Sequence, residues 1–274
     1  MQTHVVVNDV KRILNLKPSR AIQQDWGYQG QRLPGFPKPA AARVNLLPEN
    51  WMPFDQLDTG TCAGNAFSGL YYCMTGVILS RLQLWINGVM TDEWDATVPG
   101  CLQDGTSLKA ILEYARKVGA VPEELWPFWP LQSWYKGSGE ELLDESKKHR
   151  IDSFYYLGKD PDLWKLWMSN YGALYLGILV DGSYQFVGTV GVLDTFQSNS
   201  VRGGHAKFGA GYGILEDMLH TPMLDRIPKG LWKQERFILP GSWGSNFGHG
   251  GKVYATTDWM MAAATEIYGV IVNE

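Results

Sequence analysis

A cysteine at the start of a predicted helix is the strongest sign of chemistry in this sequence. A turn that contains Gly60 delivers Cys62 to the beginning of an apolar helical segment. The N-terminus of a helix carries partial positive charge and unpaired N–H groups, and both favour the thiolate form of a cysteine. Because the thiolate is the nucleophilic form of cysteine, this pattern predicts that Cys62 can act as a nucleophile.

A glutamine lies six residues before this cysteine and offers a second polar group to the same reaction. The side-chain amide of Gln56 and the backbone N–H of Cys62 could together stabilise an oxyanion formed by attack on a carbonyl. One such donor contributes about 3–4 kcal/mol in the best-studied case. We therefore predict an oxyanion hole built from Gln56 and Cys62.

The five histidines of the chain are the candidates for the general base that would accept the proton of Cys62. His205 stands in a Gly-Gly-His-Ala context before an apolar strand, whereas His149 lies in a charged face and His4 in the N-terminal arm. His249 lies in a Gly-rich loop and is the second candidate. We predict that His205 is the base. The competing interpretation is that Cys62 is simply a small buried hydrophobic residue.

The apolar patterns that must position these residues change in character along the chain. Helices are predicted at 62–89, 107–118, 140–149 and 162–168, with a short one at 8–16. Strands are predicted at 173–180, 205–212, 236–239, 251–255 and 267–272, separated by Gly and Pro. Helices in the first half and strands in the second indicate an α+β fold with two lobes.

A three-part division of the chain follows from this change. Residues 1–48 are predicted to be an N-terminal arm, and residues 49–150 a helical lobe that carries the Cys62 helix. Residues 151–274 are predicted to be a β-rich lobe that carries the His205 strand. The two lobes together would form one catalytic unit.

Four segments in this order resemble the papain-like cysteine peptidases, most closely their bacterial and phage-type members. The first is Gln56 to Phe67, in which Cys62-Ala-Gly-Asn-Ala is similar to the active-site run of that family. The others are Asp104-Gly-Thr-Ser-Leu with Val118 to Phe128, Gly203-Gly-His-Ala with Gly211-Tyr212, and Ser242-Trp-Gly with Phe247 to Tyr254. The resemblance implies a cleft between a helical lobe and an antiparallel, β-barrel-like lobe.

The same resemblance implies a reaction. Cys62 would attack a peptide carbonyl as a thiolate, and His205 would return the proton to the leaving amine. Gln56 would assist at the oxyanion, Trp243 would cover the histidine, and Gly60 and Ser242 would lie at the cleft. The substrate would be a polypeptide, and neither a cofactor nor a metal ion is expected.

The sequence departs from the family at the residue that orients the histidine. Papain-like enzymes usually carry Asn directly before the Ser-Trp-Gly run, and this chain has Gly241 there. Glycine has no side chain with which to hold an imidazole. Asn246 or Ser242 could substitute, although neither occupies the family position.

Two further departures concern disulfides and the pro-segment. Extracellular members join a cysteine three residues before the nucleophile to one ahead of the second helix. Here the first position is Thr59, and the second corresponds to Cys101, which is then unpaired. The arm of about 48 residues is short and lacks long helices, so we expect that no large pro-domain has to be removed.

Composition limits the remaining possibilities. The net charge is −4 with no long run of Lys or Arg, which argues against a nucleic-acid partner. The sequence has no stretch of about 18 apolar residues, so no membrane span is predicted. The N-terminus also lacks a signal-peptide pattern. Three cysteines without a CxxC pair argue against structural zinc and for a reducing compartment. We expect a cytoplasmic location, or association with a virion if a phage encodes the protein.

Two other functions remain open at this point. Gly241 and the aromatic richness of the chain fit a catalytically impaired papain-like module that acts as a structural or binding subunit of a larger assembly, such as a phage particle. A cell-wall amidase would also use Cys and His. The six-residue spacing from Gln56 to Cys62 and the Ser-Trp-Gly loop favour a papain-like peptidase over an amidase.

Overall fold

The structure is a computed structural model that describes residues 4–20, 38–92, 102–129, 140–219 and 221–272. The first half of the chain is mainly helical, as the sequence predicts. Its helices are α1 (Cys62–Thr75), α2 (Arg81–Asp92), α3 (Leu108–Lys117) and α4 (Glu140–Lys147). None of the helices among the described residues is both long enough and apolar enough to cross a bilayer.

The single helix predicted at 62–89 is in fact two helices, and a glycine separates them. Gly76 adopts a φ of 75° at the end of α1, and its N–H donates to the Tyr72 carbonyl at 2.9 Å. This left-handed geometry ends a helix, and glycine adopts it without steric cost. The chain then turns back into α2.

Small residues on α1 let other parts of the chain approach it closely. A Cβ atom at Gly64 would lie 2.6 Å from the carbonyl oxygen of Arg81 at the start of α2. A Cβ atom at Gly69 would lie 2.5 Å from the ring of Phe208. Helix α1 is therefore fixed between a second helix and a strand of the other half.

The strands of the second half form two sheets. The first has the order β4 (Ile151–Tyr156), β11 (Ala264–Val272), β5 (Leu174–Val180) and β7 (Gly203–Gly209), all antiparallel. The second has the order β3 (Val44–Asn45), β8 (Gly211–Ile214), β9 (Glu235–Pro240), β10 (Lys252–Ala255) and β6 (Val192–Leu193). Only β10 and β6 pair in parallel in this second sheet. The α+β class is confirmed, but the described strands do not close into a barrel.

Five further helices lie among these strands. They are α5 (Pro161–Asn170), α6 (Gly182–Gln185), α7 (Leu215–Met218), α8 (Thr221–Leu224) and α9 (Thr257–Ala263). Strands β7 and β8 follow each other with only Ala210 between them, although they belong to different sheets. The strand that carries His205 therefore runs from one sheet into the other.

The helix predicted at 8–16 is wrong, because residues 4–13 form a β-hairpin. Strands β1 (His4–Val7) and β2 (Val10–Ile13) pair through a turn at Asn8 and Asp9, whose φ angles are 48° and 61°. Asn and Asp tolerate such left-handed angles better than most residues. Val5 and Val7 are buried while Val6 is exposed, which is the period of two expected of a strand.

Two elements of the N-terminal arm are attached to the second half of the molecule. The hairpin packs Val5 and Val7 into the apolar core of the second half, and β3 adds an edge strand to the second sheet. The division at residues 48 and 150 stays a prediction.

Substitution of Gly269 tests the packing of the first sheet. A Cβ atom at this position on β11 would collide with the indole of Trp167, which is buried. Overpacking of this kind costs about 1–3 kcal/mol. Gly269→Ala should lower the free energy of unfolding in urea by that amount. Gly230→Ala is the control, because a Cβ atom there meets open space; equal stabilities of the two variants would contradict the packing.

Candidate active site

Cys62 is the first residue of α1 and is 1% exposed. Thr61 is the N-cap residue of the helix, and its carbonyl accepts from the Asn65 N–H at 3.0 Å. The Thr61 hydroxyl does not cap the helix, since it bonds the Thr59 hydroxyl at 2.7 Å and the Asn65 side chain at 2.9 Å. The N–H groups of the first turn are therefore left for the sulfur or for a substrate oxygen.

The position of Cys62 is set by the tight turn that precedes it. The N–H of Gly60 donates to the Leu102 carbonyl at 2.6 Å, and a Cβ atom at Gly60 would collide with the Asp104 carbonyl. Only glycine lets the turn pack this closely on the loop that precedes α3. Gly60 thus holds Cys62 in place, at the edge of the site.

The thiol of Cys62 is neutral at pH 7 in this arrangement. Burial raises its pKa to about 11, against the smaller lowering effect of the N–H groups of Ala206, Ala63 and Cys62 itself. A thiolate is disfavoured wherever water is excluded and no cation is adjacent. The helix N-terminus alone does not make Cys62 nucleophilic here.

His205 lies on β7, fully buried beneath an aromatic ring. The indole of Trp243 lies over the imidazole, with ring centres 4.9 Å apart and planes inclined by 34°. Burial, the charge of Lys207 and that of Arg12 lower the pKa of His205 well below its ordinary value. Its two ring nitrogens make no hydrogen bond to any described residue, so no hydrogen bond joins His205 to the Cys62 thiol.

Gln56 is held rigidly by the loop that carries Trp243. Its backbone N–H donates to the Ser242 carbonyl at 2.8 Å, and its Oε1 accepts from the Ser242 hydroxyl at 2.6 Å. Its Nε2 donates to the Thr59 carbonyl at 2.8 Å, which uses one of the two amide hydrogens. The structure therefore brings Gln56, Ser242 and Trp243 together and fixes the amide beside the start of α1.

The residues considered as substitutes for the family Asn do not hydrogen-bond to the imidazole. Asn246 is exposed, and Ser242 uses its hydroxyl to orient Gln56. The space beside Gly241 is instead filled by a lysine: a Cβ atom at Gly241 would lie 2.7 Å from Nζ of Lys207. Sequence reasoning missed Lys207, although a lysine in an apolar strand, two residues after His205, was a visible signal.

Comparison with known proteins defines the fold. Neither the models of protein families nor the sequences of curated proteins match this chain. Among solved structures, xylellain, a cysteine protease from Xylella fastidiosa, matches with a TM-score of 0.73 at 19% identity, over 95% of this chain and 96% of xylellain. Procathepsin L 3 from the larval midgut of Tenebrio molitor matches at 0.59 and 20% identity, over 90% of this chain and 76% of its own. Bromelain from Ananas comosus matches with a TM-score of 0.57 at 12% identity, over 85% of this chain and 100% of bromelain.

The chain has the papain-like fold. This confirms the resemblance read from the four sequence segments. The described histidines other than His205 have other partners or positions. His249 bonds the Tyr254 hydroxyl through Nδ1 at 2.9 Å, His149 lies 3.4 Å from a carboxylate oxygen of Glu145, and His4 starts β1. His220 and Cys101 lie outside the described residues.

The two cysteines of the described residues, Cys62 and Cys73, are both free thiols. Thr59, at the position of the family's first disulfide cysteine, is buried. Its hydroxyl donates to the Gln56 carbonyl at 2.6 Å and also contacts the Thr61 hydroxyl. Hydrogen bonds therefore stabilise this turn.

An extended segment of the N-terminal arm lies across the papain-like cleft. The N–H of Leu16 donates to the carbonyl of Gly204, next to His205, at 3.4 Å. The N–H of Lys17 donates to the Thr106 carbonyl, in the helical half, at 3.2 Å. The carbonyl of Asn15 approaches Gly105 so closely that a Cβ atom there would collide with it. Residues 15–17 thus bridge the two sides of the cleft.

Arg12 attaches this covering segment to the loop that carries Trp243. Its guanidinium donates to the carbonyls of Trp243 at 2.9 Å and Leu57 at 3.3 Å, and it forms an ion pair with Asp55. The side chain is buried, with 5% of its surface exposed. The hydrogen bonds of Arg12 therefore help to keep Cys62 and His205 out of contact with solvent.

We expect Arg12→Ala to open the cleft. Hydrogen bonds of a charged group contribute about 1.5–3 kcal/mol, so the open state should become roughly tenfold to a hundredfold more populated. Alkylation of Cys62 by iodoacetamide at pH 8 should accelerate accordingly, as followed by mass spectrometry. Cys73 serves as internal reference, and the exposed Lys11→Ala as control. Equal rates at Cys62 in both variants would show that Arg12 does not hold the cover.

Proposed function

We propose that this protein is a cysteine-type peptidase that cleaves peptide bonds through Cys62 and His205. The observation that carries the proposal is the arrangement around α1. Cys62 stands at the N-terminus of the helix, and Ser242 fixes the Gln56 amide next to it. The papain-like fold supports the same reaction class.

The proposed reaction moves one proton within the dyad. His205 takes the proton of the Cys62 thiol, and the sulfur then attacks the peptide carbonyl carbon. The resulting oxyanion accepts hydrogen bonds from the Gln56 amide and the Cys62 N–H. When the C–N bond breaks, His205 gives the proton to the leaving amine, and water later hydrolyses the thioester.

The covered state described above is, in this proposal, a latent one. Cys62 and His205 are both buried, and burial favours the neutral form of each. Departure of residues 15–17 would admit water, which solvates the thiolate and the imidazolium and lowers the free energy of the ion pair. A substrate would then take the place of the segment.

The substrate is an extended polypeptide in this proposal. Residues 15–17 already show that an extended backbone can hydrogen-bond to both sides of the cleft, at Gly204 and at Thr106. A cavity of about 690 Å³ adjoins the same segment, and its lining includes Leu179, Gly204, Glu266 and Tyr268. A side chain of the substrate could enter this cavity.

The test is hydrolysis of an unfolded protein by the full chain carrying Arg12→Ala, in which the cleft is expected to be open. Adding Cys62→Ser or His205→Ala should remove nearly all turnover, because each deletes a group that exchanges the reacting proton. Cys73→Ser should leave turnover unchanged, since Cys73 lies at the other end of α1. Turnover that survives Cys62→Ser would refute the assignment; no turnover in any variant would favour a binding subunit.

The oxyanion role of Gln56 has its own test. Gln56→Ala should lower kcat by about 10²–10³ while KM changes little, since the amide acts mainly on the charge that develops in the transition state. Ser242→Ala should have a smaller effect, because it leaves the amide in place and removes only the hydroxyl that orients it. If Gln56→Ala and Ser242→Ala instead changed KM by the same factor, the result would indicate a loss of packing and not of oxyanion stabilisation.

A further inference from the structure

Lys207 is a buried cation next to the histidine of the site. It lies on β7 two residues after His205, so both side chains point to the same face of the strand. Ala206 and Phe208 point to the other face and pack in the core around α1. Both His205 and Lys207 are fully buried.

The ammonium group of Lys207 lies in an aromatic pocket. Nζ donates to the Tyr184 hydroxyl at 2.8 Å and lies 4.9 Å from the centre of that ring and 5.9 Å from the ring of Phe247. Among the described residues, no carboxylate forms a salt bridge with it. A buried lysine without a counter-ion is costly, so a purely structural role would be better served by an apolar residue.

The same pocket explains why a glycine stands at position 241. The Cβ atom of any other residue there would lie 2.7 Å from Nζ and 3.7 Å from Cε of Lys207. A side chain at position 241 would therefore have to displace the amine of Lys207 from its hydrogen bond to Tyr184.

Building on the peptidase function proposed above, we propose that Lys207 is a positioning residue that controls protonation of His205, and that Gly241 leaves the room its amine requires. Lys207 touches neither the thiol nor the substrate in this proposal. It acts on the histidine through its charge, and Tyr184 holds that charge in place.

The direction of the effect follows from the charges. Burial lowers the pKa of Lys207 to about 7, so the amine is charged in acid and neutral above that pH. A charged Lys207 disfavours a second positive charge on His205, which the ion pair with Cys62 requires. Deprotonation of Lys207 to bulk water removes this obstacle, and activity should then rise with pH.

Other ionisable groups near His205 and Lys207 do not reverse this sign. Arg12, on β2, also lowers the pKa of His205 and so acts in the same direction as Lys207. Tyr184, on α6, stays neutral because burial raises its pKa well above the ordinary value. Asp181 precedes α6, and its carboxylate accepts from the Ser183 hydroxyl and from backbone N–H groups of Tyr184 and Gln197.

The first experiment measures His205 directly and does not depend on turnover. The full chain is labelled with ¹³C-histidine, and the ring signal of His205 is assigned by its loss in His205→Gln. In Lys207→Met, the midpoint of the His205 titration should move to higher pH, while the signals of His149 and His249 stay. Lys252→Met is the matched control, because Lys252 is half-buried over the ring of Trp51. An unmoved His205 midpoint would overturn the proposal, whether or not the protein is a peptidase.

The second experiment uses the pH profile of kcat/KM in the Arg12→Ala background. Lys207→Met should move the acid limb by about one pH unit to lower pH, because the opposing charge is gone. A structural role would lower kcat/KM equally at all pH values, and that result would also overturn the proposal.

A double-mutant cycle tests the pairing with Gly241 and needs neither activity nor labelling. Gly241→Ala should lower the urea midpoint of unfolding in the parent chain, where its Cβ atom meets Nζ. In Lys207→Met, whose side chain ends about where Cε lies, the same change should cost little. Additive effects of the two substitutions would show that Gly241 does not serve Lys207.

Discussion

The hydrogen bonds between Gln56 and the Ser242 segment are the contact on which the site depends. They join the chain just before α1 to the chain just after β9, and so they link the two halves of the fold. The N–H of Gly244 adds a further bond to the Phe54 carbonyl at 2.9 Å. Because Trp243 lies between these two attachments, the same contact places the indole over His205 and holds the amide at the Thr59 carbonyl, just before α1.

Burial then decides which state this linked site occupies. A thiolate and an imidazolium attract each other, but each loses hydration when the cleft is covered. The pKa of Cys62 rises and that of His205 falls, so the neutral pair is favoured. Arg12 contributes twice, because it fastens the covering segment and its charge opposes protonation of His205. The proposed geometry of catalysis and its proposed suppression therefore depend on the same loop.

The sequence predicts much of this arrangement, because the relevant signals are local. The small residues at the start of α1, the cap at Ser107 and the apolar run of β5 each leave a pattern within a few residues. Apart from the break at Gly76 and the division of the strand predicted at 205–212 into β7 and β8, the helices and strands predicted within residues 62–272 lie near their predicted positions. The order of the four segments likewise predicted the papain-like fold.

The signals that failed or were overlooked depend on partners far along the chain. Residues 8–16 have helical spacing, but Asn8 and Asp9 form a turn whose strands are stabilised by packing against the second half. The position of residues 15–17 in the cleft depends on Gly204 and Thr106, which no local pattern connects to them. In the sequence, Lys207 is only a charged residue within an apolar strand. Its role depends on Tyr184, Phe247 and Gly241, which surround it in the structure.

The exchange of an amide for an ammonium group near a histidine changes the kind of control. An amide orients an imidazole through one directional hydrogen bond, and it does so equally at every pH, since it does not titrate. The electrostatic effect of an ammonium group on an imidazole depends on the distance between them rather than on direction. The effect ends when the ammonium group loses its proton. A site that uses Lys207 in this way needs its loop and Trp243 for orientation, which the Gln56–Ser242 contact supplies. It also gains a response to pH that Gly241 alone, or an amide in its place, could not provide.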